Sequence, residues 1–323
     1  MKSLSVFRPN LNRPSGRAIA AAVRATVNSQ VSDQATELAQ LVEPKASVAK
    51  ESPLDSQVKA AGLESAAPPT DLALPVGKNI IAIGSGKGGV GKTFFSITLC
   101  QALASCGERV LLFDGDLGLA NIDVQIGASV KHDLSQVVRG RVTMAQAVTP
   151  YPASGFDILA GSSGGGSLAS LSPTRIAMLG RDLVEFAVNY DSVVMDLGAG
   201  VDRMVRYLAG HAGRRMVILT SEPTSMTDAY AFIKMVMSDD PKAEVQVVIN
   251  QARTLQEGEK TFAAIEGVCE RFLNFRPQLA GIVRRDRRVN EAIRAQVPIL
   301  NKFPGADAAI DIIGIASRLR SQK

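Results

Sequence analysis

The sequence contains no tryptophan, only three cysteines and two histidines, and its aromatic residues make up 5% of 323 positions. Each shortage excludes something. Cys100, Cys106 and Cys269 form no C-x-x-C pair, and so odd and sparse a set suits a reducing cytosol rather than a disulfide framework. His132 and His211 are the only histidines, too few to expect a zinc cluster. No apolar run reaches the roughly eighteen residues that a membrane-crossing helix needs. Neither sign of charge dominates, since the formal net charge is +5. That excess permits contact with nucleic acid or anionic lipid but argues for neither, and no specific nucleic acid is expected. Hydrophobic residues at 46% and charged residues at 21% describe a chain that is mostly globular and long enough for one large α/β domain with residues to spare.

The chain is organised around I-I-A-I-G-S-G-K-G-G-V-G-K-T, residues 80–93. Ile80, Ile81, Ala82 and Ile83 predict a short buried parallel strand. Glycines crowd the next eight positions, and Phe95, Leu99 and Leu103 then follow at helical spacing. The run from Gly86 to Thr93 fits G-x-x-x-x-G-K-S/T, the phosphate-binding loop. The chemistry needs these residue types. Gly86, Gly88, Gly89 and Gly91, with Val90 between, let backbone N–H groups turn inward onto phosphate oxygens. The helix N-terminus adds a positive dipole end. Lys92 is expected on the β- and γ-phosphates and the Thr93 hydroxyl on magnesium, so ATP and magnesium are the expected cofactors.

Residues 1–78 differ from the rest. The first 32 carry Lys2, Arg8, Arg13, Arg17 and Arg24 and no acid, without the apolar core of a secretory signal. In composition they also match an Arg-rich transit peptide, and that alternative stays open. Residues 32–42 can form a short helix, capped by Ser32 or Asp33, with Leu38, Leu41 and Val42 on one face. Residues 43–75, rich in Pro, Ala, Ser and Glu, cannot bury enough surface to order themselves and predict a linker. The expected organisation is therefore a flexible arm over 1–78 and a globular domain over 79–323. A short helix on such an arm is either a partner-binding peptide or nothing, and its physics favours neither.

From Asn79 onward, strands and helices alternate. Residues 110–113, 156–159, 191–196, 217–220, 245–249 and 279–283 predict strands, with helices at 175–188 and 308–319 among those between. This pattern predicts a doubly wound, mainly parallel sheet with helices on both faces and nucleotide beyond the carboxyl ends of the strands. Two strands end in acid. D-G-D-L-G-L-A-N-I-D follows residue 113, and carboxylates at the end of a buried strand are costly unless they meet a cation or water. Asp114 is expected to hold magnesium through its water shell and Asp116 to position the attacking water. The alternative is that both are ordinary turn residues. The strand at 191–196 has the shape of a Walker B strand, with Asp196 accepting from magnesium-bound water and Gly198 and Gly200 following the γ-phosphate. Asn250 ends another strand, where its amide could pair with a purine edge. Gly161, Ser163 and Gly165 formally fit G-x-S-x-G, the hydrolase nucleophile elbow, with His211 the one downstream base. In so glycine-rich a run the match is cheap, and a mobile loop is the better account.

These residues carry a family resemblance. G-K-G-G-V-G-K-T resembles the deviant Walker A loop of the MinD/ParA ATPases, whose mark is an additional early lysine, here Lys87. The resemblance implies that Lys87 reaches across an ATP-dependent homodimer to the partner's phosphates, as a catalytic residue beside Asp116. It spans roughly residues 79–319. The segments D-G-D-L-G-L-A-N-I-D-V-Q-I-G and D-L-G-A-G are similar to the switch regions of the FlhG (FleN) branch, the regulators of flagellar number. R-R-D-R-R-V-N-E-A-I-R-A-Q-V-P resembles the family's last strand and helix, which help wall the adenine, so Arg285 and Phe94 join Asn250 among the implied nucleotide contacts. D-Q-A-T-E-L at 33–38 is similar to the arm element through which that branch stimulates the GTPase FlhF. The resemblance thus implies a slow ATPase switch for flagellar number and placement. FlhF and a flagellar transcription activator or switch protein would be its partners, in the cytoplasm or peripheral to the inner membrane or cell pole. A MinD- or ParA-like division or partitioning ATPase, or a nucleotide-binding scaffold without turnover, remains the alternative. The departures are Phe94 after Thr93, Leu197 after Asp196, and Ala39 where the arm element carries arginine. The last helix, with Ile310, Ile312, Ile313 and Ile315, is expected to pack on the core rather than serve as a membrane helix.

Overall fold

A computed structural model describes residues 74–116, 120–161 and 173–322. All but the last five positions of the expected arm, including the D-Q-A-T-E-L element and the helix near 32–42, fall outside the described residues, as do Ser162 to Gly166.

The strands are β1 Gly77–Ser85, β2 Val110–Gly115, β3 Thr149–Tyr151, β4 Phe156–Leu159, β5 Ser192–Ala199, β6 Ala212–Leu219, β7 Val245–Ala252 and β8 Gln278–Arg284. The helices are α1 Lys92–Ser105, α2 Ile122–Ile126, α3 Leu134–Val138, α4 Met144–Ala147, α5 Pro173–Ala187, α6 Arg203–Gly210, α7 Pro223–Asp239, α8 Leu255–Leu273, α9 Arg287–Arg294, α10 Ile299–Lys302 and α11 Asp307–Ser321. They form one sheet in the order β3-β4-β2-β5-β1-β6-β7-β8. All neighbours run parallel except β3 and β4. The expected doubly wound α/β architecture is present. The short antiparallel β3 was not foreseen; it carries Pro150, which the edge of a sheet tolerates because no ladder N–H is needed there.

Both faces of the central strands are apolar, and this is why no simple alternation marks them in the sequence. Ile80 and Ala82 of β1, with Leu111 and Phe113 of β2, face one way. They meet Leu179 and Leu183 of α5, Leu208 of α6, Phe232 of α7 and Val268 of α8. Ile81 and Ile83, with Val110 and Leu112, face the other way onto α1, Ile299 of α10, and Ile312, Ile315 and Leu319 of α11. Each Val, Leu, Ile or Phe side chain among these contributes about 1.5–3 kcal/mol on burial. α1 is buried nearly all round, from Lys92 to Leu103, because it lies between the sheet and α11. A helix in that position keeps its polar atoms only where something binds them: Gln101 near its end bonds Asn301 and Ser154, and Lys92, Thr93 and Ser96 gather at its start. The helix ends at Cys106, with Gly107 at φ 87° just beyond. α11 packs on the core as expected, though Ile310 and Ile313 remain exposed.

The topology positions the site. β5 lies between β1 and β2, so the carboxyl ends of three buried strands meet at one level. Ile83 is opposite Asp196, and Asp196 is opposite Asp114.

Candidate phosphate and cation site

The loop between β1 and α1 approaches its surroundings closely at two glycines. A Cβ at Gly86 would lie 2.0 Å from the Asp228 carbonyl oxygen. Gly91 has φ 93°, a left-handed conformation, and a Cβ there would meet Asn250 Nδ2 at 2.5 Å. Gly91 is also the N-cap of α1, and no side chain caps that helix. The first N–H groups of α1 therefore lack protein acceptors and present a positive end to whatever lies in the loop. The geometry suits an anion.

Around that helix start the structure gathers the remaining predicted residues. Lys92 is buried, 9% exposed, and its charge acts on Asp196. Thr93 Oγ1 donates to Asp196 Oδ2 at 2.6 Å. Asp196 and Asp114 are 2% and 1% exposed and sit side by side on β5 and β2. Asp114 accepts from the backbone N–H groups of Asp116 at 3.2 Å and Ile122 at 3.3 Å. Burial, and then the neighbouring Asp196 charge, push the Asp114 carboxyl up to about 7. Burial pushes Asp196 up to about 6 against the opposing pull of Lys92, Thr93 and Ser96. Two buried carboxylates so raised are unfavourable as anions until a cation joins them. Their companions are hydroxyl and carboxylate oxygens, a hard donor set that fits magnesium held partly through water. No group of three or more His, Cys, Asp or Glu side chains forms a closed metal cage among the described residues.

Asp116 stands two residues beyond Asp114, half-buried, and its Oδ1 would lie 3.6 Å from a Cβ built at Gly198 of β5. Lys87 occupies a different environment from Lys92. Its side chain is 38% exposed at the lip of the loop, donating to Glu222 Oε2 and to Thr224 Oγ1, both at 2.9 Å.

Other predicted residues make contacts within the protein. Asn250 donates through Nδ2 to the Val90 carbonyl at 2.7 Å and is 5% exposed, so its amide nitrogen ties the phosphate loop down. The Phe94 side chain is buried in the apolar layer around α1, because that helix is enclosed on all sides. Only its backbone N–H, in the uncapped first turn, remains for a nucleotide contact. Leu197 is buried in the opposite layer, which accounts for an apolar residue after Asp196. Arg285 is exposed at the end of β8, its N–H bonded to the Ala252 carbonyl at 2.8 Å. The hydrolase alternative finds no support in the position of His211. That imidazole is fully buried at the amino end of β6, with Nδ1 2.8 Å from the Pro75 carbonyl oxygen and Nε2 against Gly180. Gly161 follows β4 at the carboxyl end of the sheet, against Asp114 and Ala120.

Sequence reasoning missed Glu222, Thr224 and Gln251. The first two sit where β6 hands over to α7, and Pro223 at the first helical position was the available signal. Gln251 follows Asn250 with φ 59°, and the β7–β8 register shifts between Ile249 and Ala252. This bulge turns the strand end toward Gly91, and nothing in V-I-N-Q-A-R announces it.

Comparison with known proteins is consistent with this geometry. Residues 81–299 match a family described as the CobQ/CobB/MinD/ParA nucleotide binding domain. The chain is 36% identical to the antiactivator FleN of Pseudomonas aeruginosa over 242 residues, covering 75% of this chain and 86% of FleN. It is 30% identical over 182 residues to the flagellum site-determining protein YlxH of Helicobacter pylori, covering 56% of this chain and 61% of YlxH. The septum site-determining protein MinD of Pyrococcus horikoshii, solved as a complex with Mg-ADP, superposes with a TM-score of 0.65 at 22% identity over 76% of this chain and 97% of MinD. That last likeness speaks to the fold alone.

Proposed function

Since the chain belongs to the CobQ/CobB/MinD/ParA nucleotide-binding family, we propose that it is a magnesium-dependent ATPase switch, dimeric with ATP and parted by hydrolysis, that regulates flagellar number and placement. Lys92, the loop N–H groups and the first turn of α1 hold the phosphates. Thr93, Asp114 and Asp196 hold the cation, directly or through water, and Asp116 orients the attacking water. Bound magnesium supplies the positive charge that the acid pair lacks and neutralises charge developing on the phosphoryl oxygens. Asn250 fixes the loop, and Arg285 and the Phe94 N–H line the nucleotide.

One observation carries the dimer. Of two lysines five residues apart, Lys92 is buried beside Asp196 while Lys87 stands at the exposed lip. That difference in exposure supports a role for Lys87 on a second copy's phosphates, where two anionic nucleotides at one interface need cations from both sides. Light scattering tests this. ATP with magnesium should turn the wild-type chain dimeric and leave Lys87→Ala monomeric; a Lys87→Ala dimer would refute the trans role.

The flagellar assignment rests on similarity to FleN and YlxH. The cytoplasm, at or near the inner membrane or the cell pole, is the proposed site of action. No helix among the described residues is long and apolar enough to cross a membrane. FlhF, contacted by residues 1–78, and a flagellar transcription activator are the proposed partners. A pull-down with and without residues 1–78, in ADP and in ATP, should retain FlhF only with the full-length chain.

A further inference from the structure

We infer that Ser96 is a positioning residue of the cation site, holding Asp196 in place when Thr93 lets go of it. This rests on the magnesium-nucleotide reading of the site. Thr93, Ser96 and Cys100 lie at i, i+3 and i+7 of α1, a spacing that puts them on one helix face. That face meets Asp196. Thr93 Oγ1 donates to Oδ2 at 2.6 Å, and Ser96 Oγ lies 3.1 Å from Oδ1. Burial and the Asp196 charge both raise the Cys100 thiol. Each carboxylate oxygen therefore has its own hydroxyl from the same helix.

The two hydroxyls have different second allegiances. A Thr93 oxygen that ligates a cation turns from the carboxylate, and Oδ2 is then free to accept from cation-bound water. Ser96 has no exposure and no route to the cation. Its single proton has two acceptors, the Lys92 carbonyl at 3.0 Å and Asp196 Oδ1 at 3.1 Å, and the charged one binds it more strongly. Ser96 thus keeps Oδ1 pinned while Oδ2 changes partner, and so fixes the rotation of the carboxyl about its last bond.

The test measures binding, using the full-length chain and a fluorescent mant-ADP probe, in EDTA and across a magnesium titration. Ser96→Ala should leave affinity in EDTA within about twofold of wild type and raise the half-saturating magnesium concentration by about tenfold or more, the size expected for one charge-assisted hydrogen bond. Ser96→Thr, which keeps the hydroxyl, should restore the wild-type titration. Should Ser96→Ala fail to fold, Ser96→Cys, of similar volume and weaker as a donor, must show the same shift. Superimposed magnesium titrations for wild type and Ser96→Ala overturn the inference. So does an equal loss of affinity in EDTA and in magnesium, because packing alone would produce that. A wild-type chain whose mant-ADP affinity is unmoved by magnesium overturns the site reading as well, and the wild-type titration separates that failure from the others.

Discussion

Two clusters of buried charge sit on the same sheet and are built on opposite principles. Toward the amino end, Arg215 of β6 is 5% exposed, yet its charge is answered inside the fold. Nε donates to the Ala209 carbonyl at 3.1 Å, and the guanidinium pairs with Asp240 at 3.2 Å. At the carboxyl end, Asp114 and Asp196 are more deeply buried and adjacent; burial makes both reluctant to ionise, and the Asp196 charge adds to that reluctance at Asp114. A buried charge with its partners in place is a structural element. A buried pair of like charges with a lysine, two hydroxyls and an uncapped helix start around it lacks a component, and that component comes from outside. The contrast separates scaffold from site without reference to any relative.

The largest effect that would sharpen this contrast is on the scaffold side. Arg215→Ala should destabilise the fold by about 3 kcal/mol in urea unfolding, since it opens a cavity and strands Asp240 and two carbonyls, while nucleotide affinity at saturating stability stays unchanged. Asp196→Asn should do the reverse. It should weaken magnesium-dependent nucleotide binding by about tenfold to a hundredfold, read by calorimetry, with unfolding midpoint equal to wild type or higher because a reluctant anion has been removed. Equal destabilisation by both substitutions would erase the distinction. The smallest effect is in pH. Asp114 titrates at about 7 when folded and at about 4 when unfolded, so the native state binds its proton more tightly. Stability of the nucleotide-free chain in EDTA should therefore fall as pH rises from about 4 to about 7 and level off above. Magnesium-ADP, by favouring the anion, should flatten that slope in a thermal-shift series.

The site was largely legible because its chemistry is local. Loop, lysine and hydroxyl are consecutive from Gly86 to Thr93, and an acid at the end of an apolar run announces itself wherever it lies, as at Asp114 and Asp196. What stayed hidden are contacts made across the sheet. Asn250 grips Val90 over 160 positions of sequence, Glu222 takes Lys87 over 135, and Gln251 turns on a bulge. Phe94 shows the same limit: its backbone N–H stands at the start of α1, while the all-round burial of that helix makes its ring part of the core.

By itself the sequence determined that a phosphate-binding loop is to be expected at the start of one helix, because glycine conformational freedom, helix polarity and a lysine act over a few consecutive residues. It also determined a mainly parallel sheet, because strands apolar on both faces alternate with helices. Only the tertiary structure decided that the strand carrying Asp196 lies between those of Ile83 and Asp114. Strand order is set by which helices can cover which face, a sum over the whole core. That sum placed two carboxylates side by side in a low-dielectric interior and made a cation-seeking site of them.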